Sequence, residues 1–250
     1  MEHPNPHGTP PTMSVVAAWA AIATSAAALV LLLSLHVLSP EFSPAWRMIS
    51  EYANGQYAWV LSLMFIAYGA SSLTLAVAIG SHVRRPRGRF YPGLALLTLS
   101  GIAAASAAQF DLNQAVLHDL AAVVGILCLP VAAMLISPSL AATPGWDRAK
   151  KSILLAANLT WISVVLWLAS FALMIATFVH ALGALPAAPP EQLPAGVIAV
   201  VGWTNRVMVL CAWCWVSIVG WHVIMLRTRM RATSQGTYLG NTGRRGTVGA

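Results

Sequence analysis

Reactive side chains are concentrated in the stretch Pro40–Tyr57, PEFSPAWRMISEYANGQY, which separates two long apolar runs. Arg47 and Glu51 lie four residues apart, so on a helix they face the same side and can form an ion pair. Ser43 and Pro44 are suited to the N-cap and the first position of such a helix. The stretch therefore predicts an interfacial helix that anchors a loop at a membrane surface, or alternatively the lid of a functional site.

Arg206 is the clearest single candidate for a functional side chain. It lies about nine residues into the last apolar run, which predicts a depth of roughly 14 Å below the helix start. An arginine near the middle of a bilayer costs about 2.5–3.5 kcal/mol, so it should face the protein interior and pair with a carboxylate or a bound anion. Asp119 and Glu51 are the candidate partners, and the neighbouring Asn205 adds a second polar group. An internal structural ion pair is the alternative interpretation.

A second polar group lies between the third and fourth apolar runs. Asp111 and Asn113 are candidate caps of the fourth helix, with Asp111 also a candidate ligand-binding residue. His118 and Asp119 lie about one turn inside the fourth run, where an ionisable side chain is by default a functional-site hypothesis. The alternative is a neutral histidine that donates a hydrogen bond to a backbone carbonyl.

The histidines and carboxylates do not have the spacing of a metal site. His36 and His180 stand near the outer ends of the first and fifth runs and would have to combine with His118, Asp119 and Glu51. No H-x-x-x-H or H-E-x-x-H spacing occurs among these candidates, and no phosphate loop, dinucleotide fingerprint or nucleophile elbow is present. No metal and no cofactor are therefore expected.

Composition excludes an ordinary soluble domain. Of the 250 residues 58% are hydrophobic and only 8% are charged, about a third of the charge typical of soluble proteins. Because backbone amides inside lipid must be paired within their own segment, the long apolar runs must be helices. Cys128, Cys211 and Cys214 all fall inside these runs, which favours packing over disulfide or metal chemistry.

The apolar runs predict an all-α bundle of six transmembrane helices, with the short interfacial helix between spans 1 and 2. The predicted spans are Met13–Leu38, Ala58–Gly80, Pro92–Gln109, Ala115–Ser137, Ser152–Leu182 and Val197–Leu226. They form one domain, residues 13–226, between tails at 1–12 and 227–250 that are predicted to be disordered. The third span is rich in small residues, which should let its neighbours approach closely.

The basic residues predict the orientation of this bundle. All Lys and Arg residues except Arg47 and Arg206 fall on one side of a six-span chain. That side should be cytoplasmic, which places both termini in the cytoplasm and the protein in the cell membrane. The formal net charge of +7 is therefore a topology signal, and no nucleic-acid partner is expected.

Several short motifs resemble one known family. They are I-S-E-Y-A-N-G at Ile49–Gly55, F-I-x-x-G at Phe65–Gly69, an acidic turn followed by Leu117-His118, and N-R-V at Asn205–Val207. In this order they resemble the bacterial and archaeal DUF998 family of six-span integral membrane proteins. The resemblance covers nearly all of residues 14–226. It implies the architecture only, since that family carries no established activity.

Three functions are compatible with these residues. The leading hypothesis is a non-enzymatic membrane protein whose outward-facing polar pocket binds or passes a small anionic or lipid head group, with Arg206 pairing the anion. Glu51 and His118 would shape the hydrogen bonding in that pocket. A membrane-embedded hydrolase or transferase acting on a lipid is the first alternative, with His118 as general base oriented by Glu51 or Asp119. The second is a structural accessory subunit of a membrane complex; the oligomeric state is left open.

Overall fold

A computed structural model of the chain describes residues 12–82, 88–109, 115–185, 190 and 192–245. Within them the chain forms six α-helices and one short 3₁₀ helix, and no strand. The helices are α1 (Thr12–Leu38), α2 (Ala58–His82), α3 (Phe90–Ala107), α4 (Ala115–Ala141), α5 (Lys150–Leu182) and α6 (Val201–Arg245), with the 3₁₀ helix at Ile49–Asn54.

All six helices are long and apolar enough to cross a membrane. Consecutive helices pack as antiparallel neighbours, and α6 returns to pack against α1 and α2 as well as α5. The predicted all-α bundle of six membrane helices is confirmed, and the chain is a multi-pass membrane protein. Because α6 contacts both the first and the fifth helix, its residues are in the best position to join segments that are distant in sequence.

Small residues permit the closest contact between α2 and α3. A Cβ added to Gly69 would lie only 2.5 Å from the carbonyl oxygen of Gly101, so neither helix has room for a side chain there. Ser100 of α3 donates a hydrogen bond of 2.9 Å to the carbonyl of Gly125 in α4. The close approach predicted for the third span is therefore confirmed, and Gly69 of the F-I-x-x-G motif has a packing role.

The apolar core has two parts. The larger one fills the half of the bundle near the α4–α5 connection, where Trp146 and Trp215 are among the fully buried side chains. The smaller one lies below the loop between α1 and α2 and includes Leu35, Tyr52 and Met64. This second cluster supports the loop that carries most of the candidate functional residues.

The predicted beginning of the last span is wrong by one turn. Residues 197–200 are apolar but not helical, and α6 begins at Val201. The backbone N–H of Ile198 donates to Thr177 Oγ1 of α5 at 3.1 Å. Because a side chain of the neighbouring helix accepts this hydrogen bond, the N–H does not need a partner within a helix of its own segment. At its other end α6 continues to Arg245. The composition of residues 227–250 predicts a disordered tail there instead.

Candidate functional site

Six polar side chains meet where α1 ends and α6 begins. Residues 39–57 between α1 and α2, here called the first loop, fold over the first turns of α6. We call the group the polar cluster, and its members are His36, Arg47, Glu51, Tyr52, Asn205 and Arg206. Of the side chains predicted to form the site, the structure brings together Arg47, Glu51, Asn205 and Arg206.

Arg206 is the centre of this cluster. Its side chain is only 4% exposed. Nε donates to His36 Nε2 at 2.7 Å and Nη2 donates to the hydroxyl of Tyr52 at 3.2 Å. Nη1 donates to two backbone carbonyls, Arg47 at 2.8 Å and Gly202 at 2.9 Å. These bonds use four of the five N–H donors of a guanidinium group and join α1, the first loop and α6 through one side chain.

The bond from Arg206 defines the protonation state of His36. Because Nε2 accepts a hydrogen bond from a guanidinium N–H, it must carry a lone pair. The other ring nitrogen, Nδ1, lies 2.7 Å from the carbonyl of Leu32 and must be the protonated one. His36 is therefore a neutral acceptor with both ring nitrogens in use, and it has no lone pair left for a metal ion.

Arg206 lies closer to the start of its helix than the sequence predicts. It is in the second turn of α6, roughly 8 Å from the helix start at Val201. Thr204 and Ser170 of α5 are hydrogen-bonded at 2.6 Å, so the first turn of α6 packs beside the second half of α5. The predicted distance of roughly 14 Å from the helix start is therefore wrong, because the helix begins later than the apolar run.

The predicted carboxylate partner of Arg206 is also wrong. Its hydrogen-bond acceptors are an imidazole, a phenol and two carbonyls, and none of them carries a charge. In the part of the chain that the structure describes, the single salt bridge joins Arg47 and Glu51. Glu51 is therefore already paired, and Asp119 is exposed on α4. The sequence could not reveal this, since His36 and Tyr52 look like ordinary interfacial residues.

Arg47 and Glu51 form the predicted ion pair. Arg47 Nη1 lies 2.6 Å from Glu51 Oε2, with the two side chains 12% and 14% exposed. Arg47 Nη2 donates to the carbonyl of Pro190 in the α5–α6 connection, and the guanidinium stacks 4.1 Å from the ring centroid of Trp46. Arg47 thus ties the first loop to the segment that precedes α6.

The predicted helix at Pro44 does not form, and the 3₁₀ helix begins only at Ile49. The backbone groups that such a helix would pair internally are bonded to α6 instead. The carbonyl of Ala45 accepts from the N–H of Gly202 at 3.1 Å, and the N–H of Ile49 donates to Asn205 Oδ1 at 3.0 Å. Glu51 supports the later start, because its Oε1 accepts the N–H of Met48 at 2.8 Å.

Gly202 allows the first loop to lie directly on α6. A Cβ at this position would overlap the carbonyl oxygen of Pro44 and would lie 2.7 Å from that of Arg47. Only a residue without a side chain permits this contact between two backbones. The sequence offers no signal for it, because Gly202 resembles any other glycine in an apolar run.

The remaining predicted site residues lie elsewhere or outside the described residues. His118 is buried on α4, which packs chiefly against α3 and α5, while Asp119 is exposed on the same helix. Neither is among the four hydrogen-bond partners of Arg206. Asp111 lies outside the described residues, as does Asn113.

The donors of a metal site are not assembled in the described ranges. No three His, Cys, Asp or Glu side chains of residues 12–82, 88–109, 115–185, 190 and 192–245 lie close enough to hold an ion. His180 is exposed near the end of α5. Both oxygens of Glu51 are used by Arg47 and by the N–H of Met48, so Glu51 is not placed to orient His118 as a general base.

Comparison with known proteins identifies one family. The family model described as "Protein of unknown function (DUF998)" matches residues 21–222, which is most of the chain. No curated protein and no solved structure matches the chain. The matched region contains the first loop and the start of α6, and the structure brings the two segments together: Glu51 and Tyr52 of one belong to the same network as Asn205 and Arg206 of the other.

Proposed function

We propose that this chain, which belongs to the DUF998 family, is a non-enzymatic membrane protein that binds an anionic head group at the polar cluster. The observation that carries the proposal is the charge of Arg206. In the described residues its four hydrogen bonds all go to uncharged acceptors. Since Arg47 and Glu51 neutralise each other, the cluster has a net charge of one, and a bound anion would compensate it.

The position of the cluster supports a ligand from the membrane surface. Arg206 lies in the second turn of α6, near one end of a helix long enough to cross a membrane, where we expect the lipid phosphates. Arg47 and Glu51 are partly exposed above it, and the buried Nε of Arg47 has no hydrogen-bond partner among the described residues. An anionic oxygen that entered between the first loop and α6 would therefore meet two guanidinium groups, which are well suited to phosphate.

The first loop is the lid of this site in our proposal. It covers Arg206, which donates hydrogen bonds to the hydroxyl of Tyr52 and to the carbonyl of Arg47, and it must shift for an anion to reach the guanidinium. The basic loops at the opposite end of the bundle predict that the lid faces outward. The ligand would then be drawn from the outer leaflet of the cell membrane.

The test compares two substitutions of the same residue. Arg206→Lys keeps the charge but loses the planar guanidinium group, whereas Arg206→Gln loses both. Both variants should therefore be less stable than the wild type. We expect phosphatidylglycerol, added to the purified protein in detergent, to raise the melting temperature of the wild type and of Arg206→Lys relative to phosphatidylcholine. Arg206→Gln should lose this difference, because a ligand stabilises only the state that binds it.

Arg227→Gln is the matched control, because it removes an arginine from the opposite end of the bundle, where Arg227 donates to the hydroxyl of the exposed Thr12. It should keep the full response to phosphatidylglycerol. If Arg206→Gln also keeps that response, the head-group proposal is wrong.

A structural lock is the second candidate, and the bonding of Arg206 favours it specifically. One side chain joins α1, the first loop and α6, so the cluster also holds the loop in place. If holding the loop is the whole role of Arg206, both substitutions should lower the melting temperature. Phosphatidylglycerol should then raise the melting temperature no more than phosphatidylcholine does, in the wild type and in both variants. The two functions are thus separated by the lipid response and not by stability.

A further inference from the structure

His36 lies where α1, the first loop and α6 meet, and both nitrogens of its ring are hydrogen-bonded. Nε2 accepts from Arg206 Nε at 2.7 Å, and Nδ1 donates to the carbonyl of Leu32 at 2.7 Å. The ring also packs edge-on against that of Tyr52, with the two centroids 6.0 Å apart. Only a neutral imidazole that carries its proton on Nδ1 can make both hydrogen bonds.

Protonation of His36 is incompatible with its bond to Arg206. An imidazolium ring has two N–H donors and no acceptor, so Nε2 would point a hydrogen at the N–H of the guanidinium group. Two positive charges would then lie in contact beside a buried side chain, where like charges repel each other more strongly than in water. The bond from Nδ1 to Leu32 survives protonation, so the ring keeps its anchor on α1 and the repulsion displaces Arg206.

The carboxylates of the first loop are not placed to compensate a charge on His36. Both oxygens of Glu51 are already bonded, one to Arg47 and the other to the N–H of Met48. Glu41 is exposed, and in the described part of the chain neither carboxylate forms a hydrogen bond with His36. A proton on His36 therefore acts directly on Arg206.

The helices packed against α1 leave Arg206 as the charged neighbour of His36. These helices are α2 and α6. The first ten residues of α2, 58–67, contain no ionisable side chain, and the next ionisable residue of α6 after Arg206 is Cys211, more than one turn further along the helix. Tyr52 of the first loop is the other titratable neighbour, and its hydroxyl accepts from Arg206 Nη2 at 3.2 Å. Of these groups histidine is the one that ordinarily titrates between pH 5 and 8.

Displacement of Arg206 would loosen the first loop. In the described residues four hydrogen bonds join this loop to α6, and Arg206 donates two of them, to the carbonyl of Arg47 and to the hydroxyl of Tyr52. The other two are made by the backbone N–H groups of Gly202 and Ile49. Half of the hydrogen bonds that hold the loop on α6 therefore depend on the position of one guanidinium group.

We propose that His36 is a pH-sensitive latch: its neutral ring keeps Arg206 in position and the first loop closed on α6, and its protonation releases the loop. The direction follows from the acceptor, because only the neutral ring can hold Arg206. The loop is thus held at the higher pH and released at the lower one. The inference does not depend on a ligand. The same protonation adds a positive charge to the polar cluster, so an anionic head group would meet a more open and more cationic site in acid.

Hydrogen–deuterium exchange of the purified protein in detergent, without added anionic lipid, tests the latch at about pH 7.5 and about pH 5. The N–H groups of Ile49 and Gly202 bond across the contact, so their exchange reports the opening of the loop. After correction for the intrinsic pH dependence of exchange, we expect their protection to fall about tenfold or more on acidification. Amides within α3, which packs against α2 and α4, should keep their protection.

Substitutions of His36 separate its titration from that of other groups. His36→Gln keeps an acceptor that does not titrate, since the amide oxygen can take the place of Nε2, and its loop should stay protected at both pH values. His36→Phe keeps a ring without an acceptor, and its loop should be poorly protected at both. His180→Gln is the matched control, because it removes an exposed histidine at the same end of the bundle and should keep the full pH response.

Each outcome either supports or overturns the latch. Equal protection of the wild-type loop at both pH values overturns it, and so does a pH response that persists in His36→Gln. If His36→Gln does not fold, His36→Phe decides, since a loop protected as in the wild type near neutral pH would show that His36 holds nothing. A response to phosphatidylglycerol without a pH response refutes the latch and leaves the head-group proposal standing, and a pH response without a lipid response does the reverse.

Discussion

The two ends of the bundle use arginine in opposite ways. At the first-loop end Arg47 and Arg206 are largely withdrawn from solvent, and each is bonded to groups from two or more segments. At the other end Arg148, Lys150 and Lys151 are exposed, and their charge can be solvated by water and lipid phosphates. Basic side chains are therefore a topology signal at one end and part of the tertiary structure at the other.

This difference shows where a change of charge should matter. Removing a solvated arginine changes the free energy of unfolding only slightly. A buried one leaves its acceptors without partners when it is removed, and those acceptors then bear the cost of desolvation. The following three predictions test that contrast, from the largest expected effect to the smallest.

Replacing Arg206 by glutamine should have the largest effect on stability. It removes the guanidinium group that donates hydrogen bonds to His36, Tyr52 and two buried carbonyls. We expect a loss of about 3–5 kcal/mol in the free energy of unfolding. Denaturant unfolding of the purified protein in detergent measures it. The matched change at the opposite end, Arg227→Gln, should cost less than about 0.5 kcal/mol. Equal losses in the two variants would remove the contrast between the two ends.

Gly202→Ala should disturb the first loop without changing any charge. The added methyl group would overlap the carbonyl oxygens of Pro44 and Arg47, and relieving such overpacking costs about 1–3 kcal/mol. We expect the first loop to become the earliest site of cleavage in limited proteolysis. Gly125→Ala is the control, because the nearest atoms to its Cβ lie at 3.8 Å or more and the helix can accept the methyl group. If Gly202→Ala resists protease like the wild type, the loop does not depend on this backbone contact.

The Arg47–Glu51 pair should contribute least. The two side chains are close but partly exposed, so a double-mutant cycle with Arg47→Ala and Glu51→Ala should give a coupling energy of about 0.5–1 kcal/mol. The single variant Arg47→Ala should cost more than this coupling, because it also loses the bond to Pro190 and the stack on Trp46. A coupling of 3 kcal/mol or more would mean that this pair, and not Arg206, is the main electrostatic element of the site.

The helices were predicted well because their main determinant is local. Five of the six span starts fall within two residues of the prediction, from α1 to α5. The length of each apolar run alone decides where these helices begin, since an apolar segment inside lipid has no alternative to a helix. The exception is α6, where the N–H groups of the apolar segment before Val201 have partners outside that segment.

The site was predicted only in part. The spacing of Arg47 and Glu51 indicated their ion pair, and the cost of burying charge drew attention to Arg206 and its neighbour Asn205. His36 and Tyr52 were missed as acceptors of Arg206, because a histidine at a helix end and a tyrosine in an interfacial loop usually have no such role. Both became visible only when α1, the first loop and α6 were packed together.

The sequence by itself therefore determined the number of helices, their approximate limits and the residues whose burial would be expensive. These properties depend on composition along short segments, and a bilayer makes that dependence strict. The tertiary structure alone decided that Arg206 is held by uncharged groups near the start of α6 and that the first loop has no helix at Pro44. Both follow from hydrogen bonds between segments more than 150 residues apart, and no local pattern encodes such bonds.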